Sequence, residues 1–164
     1  KSFFDFKMGN YVEVIKNEKS MNFSDLKFNN MLIDKHWSAS LYDLGDGVAA
    51  IKLHSVLKPE LNPIDGSMMQ VFAQSLDWIT DNGYKGLVIS GDGANFCAGA
   101  NLSLILQAAE KQDFNSLGNF INTIQQIFQS IRFSKFPVVA APYGLVLGGG
   151  MEIIGSCDRM TPFT

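Results

Sequence analysis

Pro137-Val-Val-Ala-Ala-Pro-Tyr-Gly-Leu-Val-Leu-Gly-Gly-Gly-Met-Glu-Ile-Ile-Gly-Ser-Cys-Asp158 is the stretch that decides the fold. Pro137 to Ala141 is a short apolar run that reads as a buried strand. Pro142-Tyr143-Gly144 reads as a turn, and Gly148-Gly149-Gly150 leads into a helix expected from Met151 to about Cys157. Strand, glycine loop and helix in this order mark the place where α/β folds put ligand sites, beyond the carboxyl end of a strand. The N–H groups of a helix start lack partners within the helix, and the helix dipole adds partial positive charge there. Glycine at 148–150 removes every Cβ, so a carbonyl can approach the backbone. A triple glycine also serves simple tight packing or a flexible turn. No Gly-Lys-Ser/Thr follows it, so it is not a Walker loop, and the Gly-x-Gly-x-x-Gly dinucleotide fingerprint is absent. Glu152 lies two residues past the glycines in an apolar run. A carboxylate in a dry pocket can exchange protons near neutral pH, whereas one in a first helical turn can also be a plain dipole or capping group.

Upstream, Asn95-Phe-Cys-Ala-Gly-Ala-Asn-Leu102 repeats the theme: it follows the short strand Leu87-Val-Ile89 and the Gly91-Asp-Gly93 loop, and opens a helix. Two such loops facing one cavity make an oxyanion hole, worth roughly 2.7–4 kcal/mol per donor to charge developing on a carbonyl oxygen. The rest alternates strands and helices. Ser40–Leu44 and Val48–Leu53 flank the tight turn Gly45-Asp-Gly47. Lys58 to Pro63 is a loop. A helix from Asp65, its N-cap, to about Asp81 carries Met68, Phe72, Leu76 and Ile79 on one face, and Gly83 ends it. A longer helix from about Asp113 to Phe133 presents Leu117, Phe120, Ile121, Ile124, Ile127, Phe128 and Ile131 as one apolar face. The class is α/β with a largely parallel sheet and right-handed crossovers.

Residues 1–36 are expected to be an interdomain linker or docking arm, and 37–164 part of a larger domain. Within the arm, Ser2–Phe6 and Tyr11–Ile15 around Met8-Gly9-Asn10 read as a hairpin, and Ser24–Lys27 as a short helix start. The chain starts mid-pattern without an initiator Met, which is expected of a piece of a longer polypeptide.

The chain has 164 residues, 46% hydrophobic and 18% charged, enough to build a core. Its net charge of −3 removes the basic footprint of a nucleic-acid or anionic-membrane binder. No signal peptide is visible, and the apolar run 137–155 is too interrupted to span a bilayer. Cys97 and Cys157 form no CxxC pair and lie far from His36 and His54, so no metal site is expected. A disulfide between them stays open, although two lone cysteines point to a reduced, cytoplasmic chain.

The two loops, about fifty residues apart, resemble the signatures of the crotonase (enoyl-CoA hydratase/isomerase) superfamily. Phe96-Cys-Ala-Gly-Ala-Asn-Leu102 is similar to its F-x-A-G-A-D-L loop, and Pro137 to Asp158 to its P-x-I-A-A-x-x-G-x-A-x-G-G-G-x-E-L-x-x-x-C-D run. Leu61-Asn-Pro-Ile64 sits where the family carries N-A-L, and the resemblance covers about Ser38 to Asp158. It implies a crotonase-like α/β fold of ββα repeats with a spiral sheet, of which this chain holds the N-terminal portion.

By the same resemblance, the N–H groups of Ala100 and Gly149 are the oxyanion donors for an acyl-CoA thioester. Glu152 is the glutamate that orients and deprotonates the water added to a trans-2-enoyl-CoA. Ala98, Gly99, Ala100, Asn101, Leu102 and Asn62 receive the coenzyme A, with Lys58 in reach of its phosphates. Asn101 replaces the common Asp, and either caps a helix. Cys97 is expected to pack rather than attack, since no histidine is placed to activate it. The family's hydratases use a second glutamate past the Cys-Asp element, beyond Thr164, so the fragment alone is expected to be inactive. The arm's Phe-Phe-x-x-x-x-Gly-x-Tyr-x-x-Ile-like pattern is similar to the junction in fused 3-hydroxyacyl-CoA dehydrogenase proteins, which implies fatty-acid β-oxidation, NAD in the dehydrogenase part only, and a homo-oligomer. Isomerisation, thioester hydrolysis, decarboxylation, or a non-catalytic acyl-CoA-binding or assembly module remain alternatives.

Overall fold

The computed structural model describes residues 2–13, 23–28 and 31–162. The expected hairpin forms: β1 (Ser2–Asp5) pairs antiparallel with β2 (Asn10–Glu13), with Phe4 opposite Tyr11 and Gly9 at φ +64° in the turn. Val14 and Ile15, and the polar stretch Lys16 to Ser20, lie outside the described residues. The short helix start becomes α1 (Phe23–Phe28), whose Leu26 is buried with Tyr42 and Ala50.

A six-stranded sheet follows, in the order β3 (Leu32–Lys35), β4 (Ala39–Gly45), β5 (Val48–Leu53), β6 (Gly86–Gly91), β7 (Val138–Ala140), β8 (Arg159–Met160). The expectation of a largely parallel sheet needs correction. The sheet is mixed: β3, β4 and β5 run antiparallel, and only β5 to β8 run parallel. The reason lies at Gly45-Asp46-Gly47, where all three residues have positive φ (+85°, +53° and +78°). So tight a turn closes a hairpin, whereas a parallel pair needs a long crossover. The sheet also begins before residue 37, because β3 pairs with β4.

The parallel strands are joined by helices. Asp65 caps α2 (Gly66–Asp81), its carboxylate accepting the Met68 N–H at 2.9 Å and the Ser38 hydroxyl at 2.5 Å. α3 (Leu102–Glu110) and α4 (Phe114–Arg132) connect β6 to β7, and α5 (Gly149–Ser156) leads to β8. Met68, Phe72 and Ile79 of α2 join Ile127, Phe128 and Ile131 of α4 and Ile51, Leu53, Leu87 and Ile89 of the sheet in one buried core. The apolar face of α4 is buried only over its second half. Ile124 onward is covered, Leu117 and Phe120 are half-buried, and Ile121 is exposed.

Candidate functional site

Three loops meet where β5, β6 and β7 end. The middle one, residues 92–101, is hydrogen-bonded on both sides like a short strand. Toward the third loop, Phe96 N–H donates to Tyr143 O (3.0 Å), Cys97 N–H to Leu145 O (3.2 Å), and Leu147 N–H to Cys97 O (3.0 Å). Toward the first loop, Ala98 N–H donates to Leu61 O (2.8 Å), Ile64 N–H to Gly99 O (2.8 Å), and Asn101 N–H to Ile64 O (3.1 Å). Residues 96–101 thus hold residues 61–64 and 143–147 in fixed register.

The glycines are there because the loops touch. A Cβ on Gly99, at φ +92°, would lie 2.9 Å from Leu147 O and 3.3 Å from Gly149 N. A Cβ on Gly150 would lie 2.5 Å from Cys97 O, and one on Gly149 2.5 Å from Ile64 Cδ1. Helix α5 begins at Gly149, two residues earlier than expected, so Gly149 and Gly150 open its first turn. The next N–H groups are used: Gly150 donates to Leu147 O, and Met151 and Glu152 to Gly148 O. The N–H groups of Gly149 and Ala100 have no hydrogen-bond acceptor among the described residues. They are neighbours, since a Cβ on Gly149 would lie 3.8 Å from Ala100 N. Two unengaged amides side by side, one of them at a helix start, are an electrostatic receptor for one oxygen that gains negative charge.

The other expected site residues fall around this pair. Asn101 caps α3, accepting Ser103 N–H at 3.2 Å, and the following Leu102 is exposed. Ala98 and Gly99 are fixed by the loop register. Asn62 is buried at φ +44°, and its side chain is committed to the loops: Oδ1 accepts Ser55 N–H (2.7 Å) and Nδ2 donates to Asn95 O (2.8 Å). It shapes the wall and does not present its amide to a ligand. Lys58 is half-buried, with its N–H on the Ser55 hydroxyl at 3.0 Å. Glu152 lies in the first turn of α5, as expected, but the apolar enclosure anticipated for it is not there. Its side chain is exposed, because Met151, Leu145 and Leu147 nearby in the chain are themselves exposed rather than folded over it.

Cys97 is fully buried, and burial pushes its thiol up to about 11; the Cys157 thiol is pushed to about 12 by burial and by Asp158. Both cysteines are free. Cys97 therefore packs beneath the loop, and its carbonyl accepts the Leu147 N–H. Among the described residues no three His, Cys, Asp or Glu side chains are grouped to hold a metal, and no helix is long and apolar enough to cross a membrane. Two supporting residues escaped the sequence reading. Ile64 is fully buried and ties both Gly99 and Asn101 through its backbone, and Asn95 bonds across the loops. A hydrophobic run marks the first only as core, and Asn in a glycine-rich loop marks the second only as a turn residue.

Residues 43–161 match the enoyl-CoA hydratase/isomerase family. The chain is 40% identical over 149 residues to a protein of Bacillus subtilis named probable 3-hydroxyacyl-CoA dehydrogenase, covering 91% of this chain and 18% of that protein. It is 29% identical over 111 residues to a probable enoyl-CoA hydratase of the same organism, covering 67% of this chain and 41% of that one. Among solved structures, the enoyl-CoA hydratase of Thermoplasma volcanium superposes with a TM-score of 0.65 at 28% identity, over 77% of this chain and 48% of that one. A putative enoyl-CoA hydratase of Streptomyces coelicolor gives 0.68 at 25% identity, over 79% and 47%. The chain thus has the crotonase-like α/β fold, and it spans about half the length of these structures.

Proposed function

The chain belongs to the enoyl-CoA hydratase/isomerase family, and on that premise we propose that it forms the thioester-binding half of a site that hydrates trans-2-enoyl-CoA in fatty-acid β-oxidation. The observation that carries the proposal is the pair of acceptor-free N–H groups on Ala100 and Gly149. The thioester oxygen sits between them and gains charge as water adds. The hydroxyl goes to C3, electrons shift through C2 onto the thioester oxygen as an enolate, and C2 then takes a proton. Each donor is worth roughly 2.7–4 kcal/mol of transition-state stabilisation.

Glu152, three residues past Gly149 on the same helix, orients the attacking water and takes its proton. Ala98 to Leu102 and the loop around Leu61 and Asn62 form the wall on which coenzyme A lies. The proton that C2 takes comes from a second acid/base group, distinct from Glu152. The similarity to the Bacillus subtilis protein named a dehydrogenase is longer than the stretch from Ser38 to Thr164, so it reaches into the arm. This supports a fusion in which a separate NAD-dependent 3-hydroxyacyl-CoA dehydrogenase part oxidises the product.

The test is hydration of crotonyl-CoA by the native full-length polypeptide carrying this sequence. Glu152→Gln is expected to lower turnover by roughly 10²–10⁴-fold, the scale of general acid–base catalysis. Unchanged turnover in that variant removes Glu152 from the reaction.

A further inference from the structure

We infer that Asn95 is the positioning residue that sets the spacing of the paired amides, acting through the backbone of the two loops beside it. The inference rests on the reading of Ala100 and Gly149 as oxyanion donors. Asn95 Nδ2 donates to Glu60 O at 2.6 Å, and Oδ1 accepts the Leu145 N–H at 2.7 Å. Its own carbonyl accepts the Asn62 side chain at 2.8 Å. One residue therefore ties the middle loop to segments 35 positions before it and 50 after it.

Both tied points lead directly to the site. Leu145 is held at its N–H by Asn95 and at its carbonyl by Cys97; Leu147 N–H then bonds Cys97 O, and two residues later comes Gly149. Glu60 precedes Leu61, whose carbonyl holds Ala98, two residues before Ala100. The turn before Leu145 is pressed onto the same side chain. Gly144 has φ +57°, and a Cβ there would meet Asn95 Oδ1 and Ala94 O.

The chemistry demands a primary amide. The Glu60 carbonyl needs a donor and the Leu145 N–H an acceptor, and a short planar amide offers both in one plane. Aspartate keeps the acceptor but turns a second oxygen toward the Glu60 carbonyl. Leucine has similar volume and neither group. Misplacement of a catalytic group by about 1 Å can cost roughly 10²-fold in rate, while substrate binding, spread over many contacts, changes less.

The experiment compares Asn95, Asn95→Asp and Asn95→Leu in the native full-length polypeptide, with two readouts. For crotonyl-CoA hydration, Asn95→Leu is expected to lower kcat by roughly 10–100-fold with KM within about threefold, and Asn95→Asp to fall between it and wild type. Amide hydrogen exchange at Cys97, Leu145 and Leu147 is expected to speed up about tenfold or more in Asn95→Leu. If both variants fold and keep kcat within about threefold of wild type, the positioning role is overturned. If the wild type hydrates no enoyl-CoA, the hydratase reading falls and exchange alone decides Asn95. Lost protection upholds its role in spacing the loops, and unchanged protection overturns it. If Asn95→Leu does not fold, Asn95→Asp carries both readouts with the same criteria.

Discussion

Gly150→Ala isolates the close approach of the two loops, because Gly150 lies in helix α5 with an ordinary helical backbone and alanine there is conformationally free. The obstacle is steric. The new methyl would sit 2.5 Å from Cys97 O, 3.0 Å from Cys97 Cβ and 3.2 Å from the Cys97 carbonyl carbon. Carbon and oxygen settle no closer than roughly 3.3 Å, so the middle loop must retreat from α5 by about 0.8 Å. Two costs follow. Overpacking a buried contact costs about 2 kcal/mol, which for a chain of this size lowers Tm by about 4–8 °C. The same shift moves Ala100 N–H away from Gly149 N–H. A displacement near 1 Å is enough for a loss of about 10²-fold in turnover. The assay pairs thermal unfolding with crotonyl-CoA hydration at a temperature well below both melting points. Wild-type turnover and wild-type Tm together would refute the reasoning, since the loops would then not be in contact. A lowered Tm with wild-type turnover would separate the packing from the chemistry and remove the paired amides from catalysis.

Three other outcomes are expected. Cys97 in the folded protein resists alkylation near pH 8 and reacts only on unfolding, because burial holds its thiol neutral up to about 11; rapid native labelling would contradict the packing. Both thiol pKa values are raised on folding, so their contribution to stability is complete below the ordinary thiol value and is lost as pH climbs from there toward about 11 for Cys97 and about 12 for Cys157. The urea midpoint is expected to fall over that range, and a rise would show the opposite sign. Asp65→Ala removes the cap of α2 and the acceptor of the buried Ser38 hydroxyl. It is expected to cost about 2–3 kcal/mol, read as a lower urea midpoint at unchanged m-value, and a loss below about 0.5 kcal/mol would contradict both bonds.

The parts of the fold legible in the sequence are those with local causes. Asp65 and Asn101 cap the helices they precede, since a short polar side chain reaches the second or third helical N–H whatever the tertiary context. The loops around Gly99 and Gly148 stood out because the absence of Cβ atoms is itself the structural requirement. What escaped depends on partners distant in the chain. β8 is two residues long and exists because Val139 and Ala140 pair with it. β3 is four residues of mixed polarity, too short for a period, and forms on the edge offered by β4. Composition around Glu152 suggested an apolar enclosure, yet apolar neighbours in sequence need not fold over a side chain, and Leu145, Leu147 and Met151 do not. Asn95 reads as a turn residue until its two partners, far away on either side, are in place.

The central claim is that Ala100 and Gly149 together grip one thioester oxygen. Infrared difference spectroscopy of carbonyl-¹³C-labelled crotonyl-CoA bound to the native full-length polypeptide tests it directly, because hydrogen bonds to that oxygen lower its C=O stretching frequency. The expected result is a clear downshift on binding that shrinks in Gly150→Ala. A bound thioester whose carbonyl frequency stays at its value in water would contradict the claim.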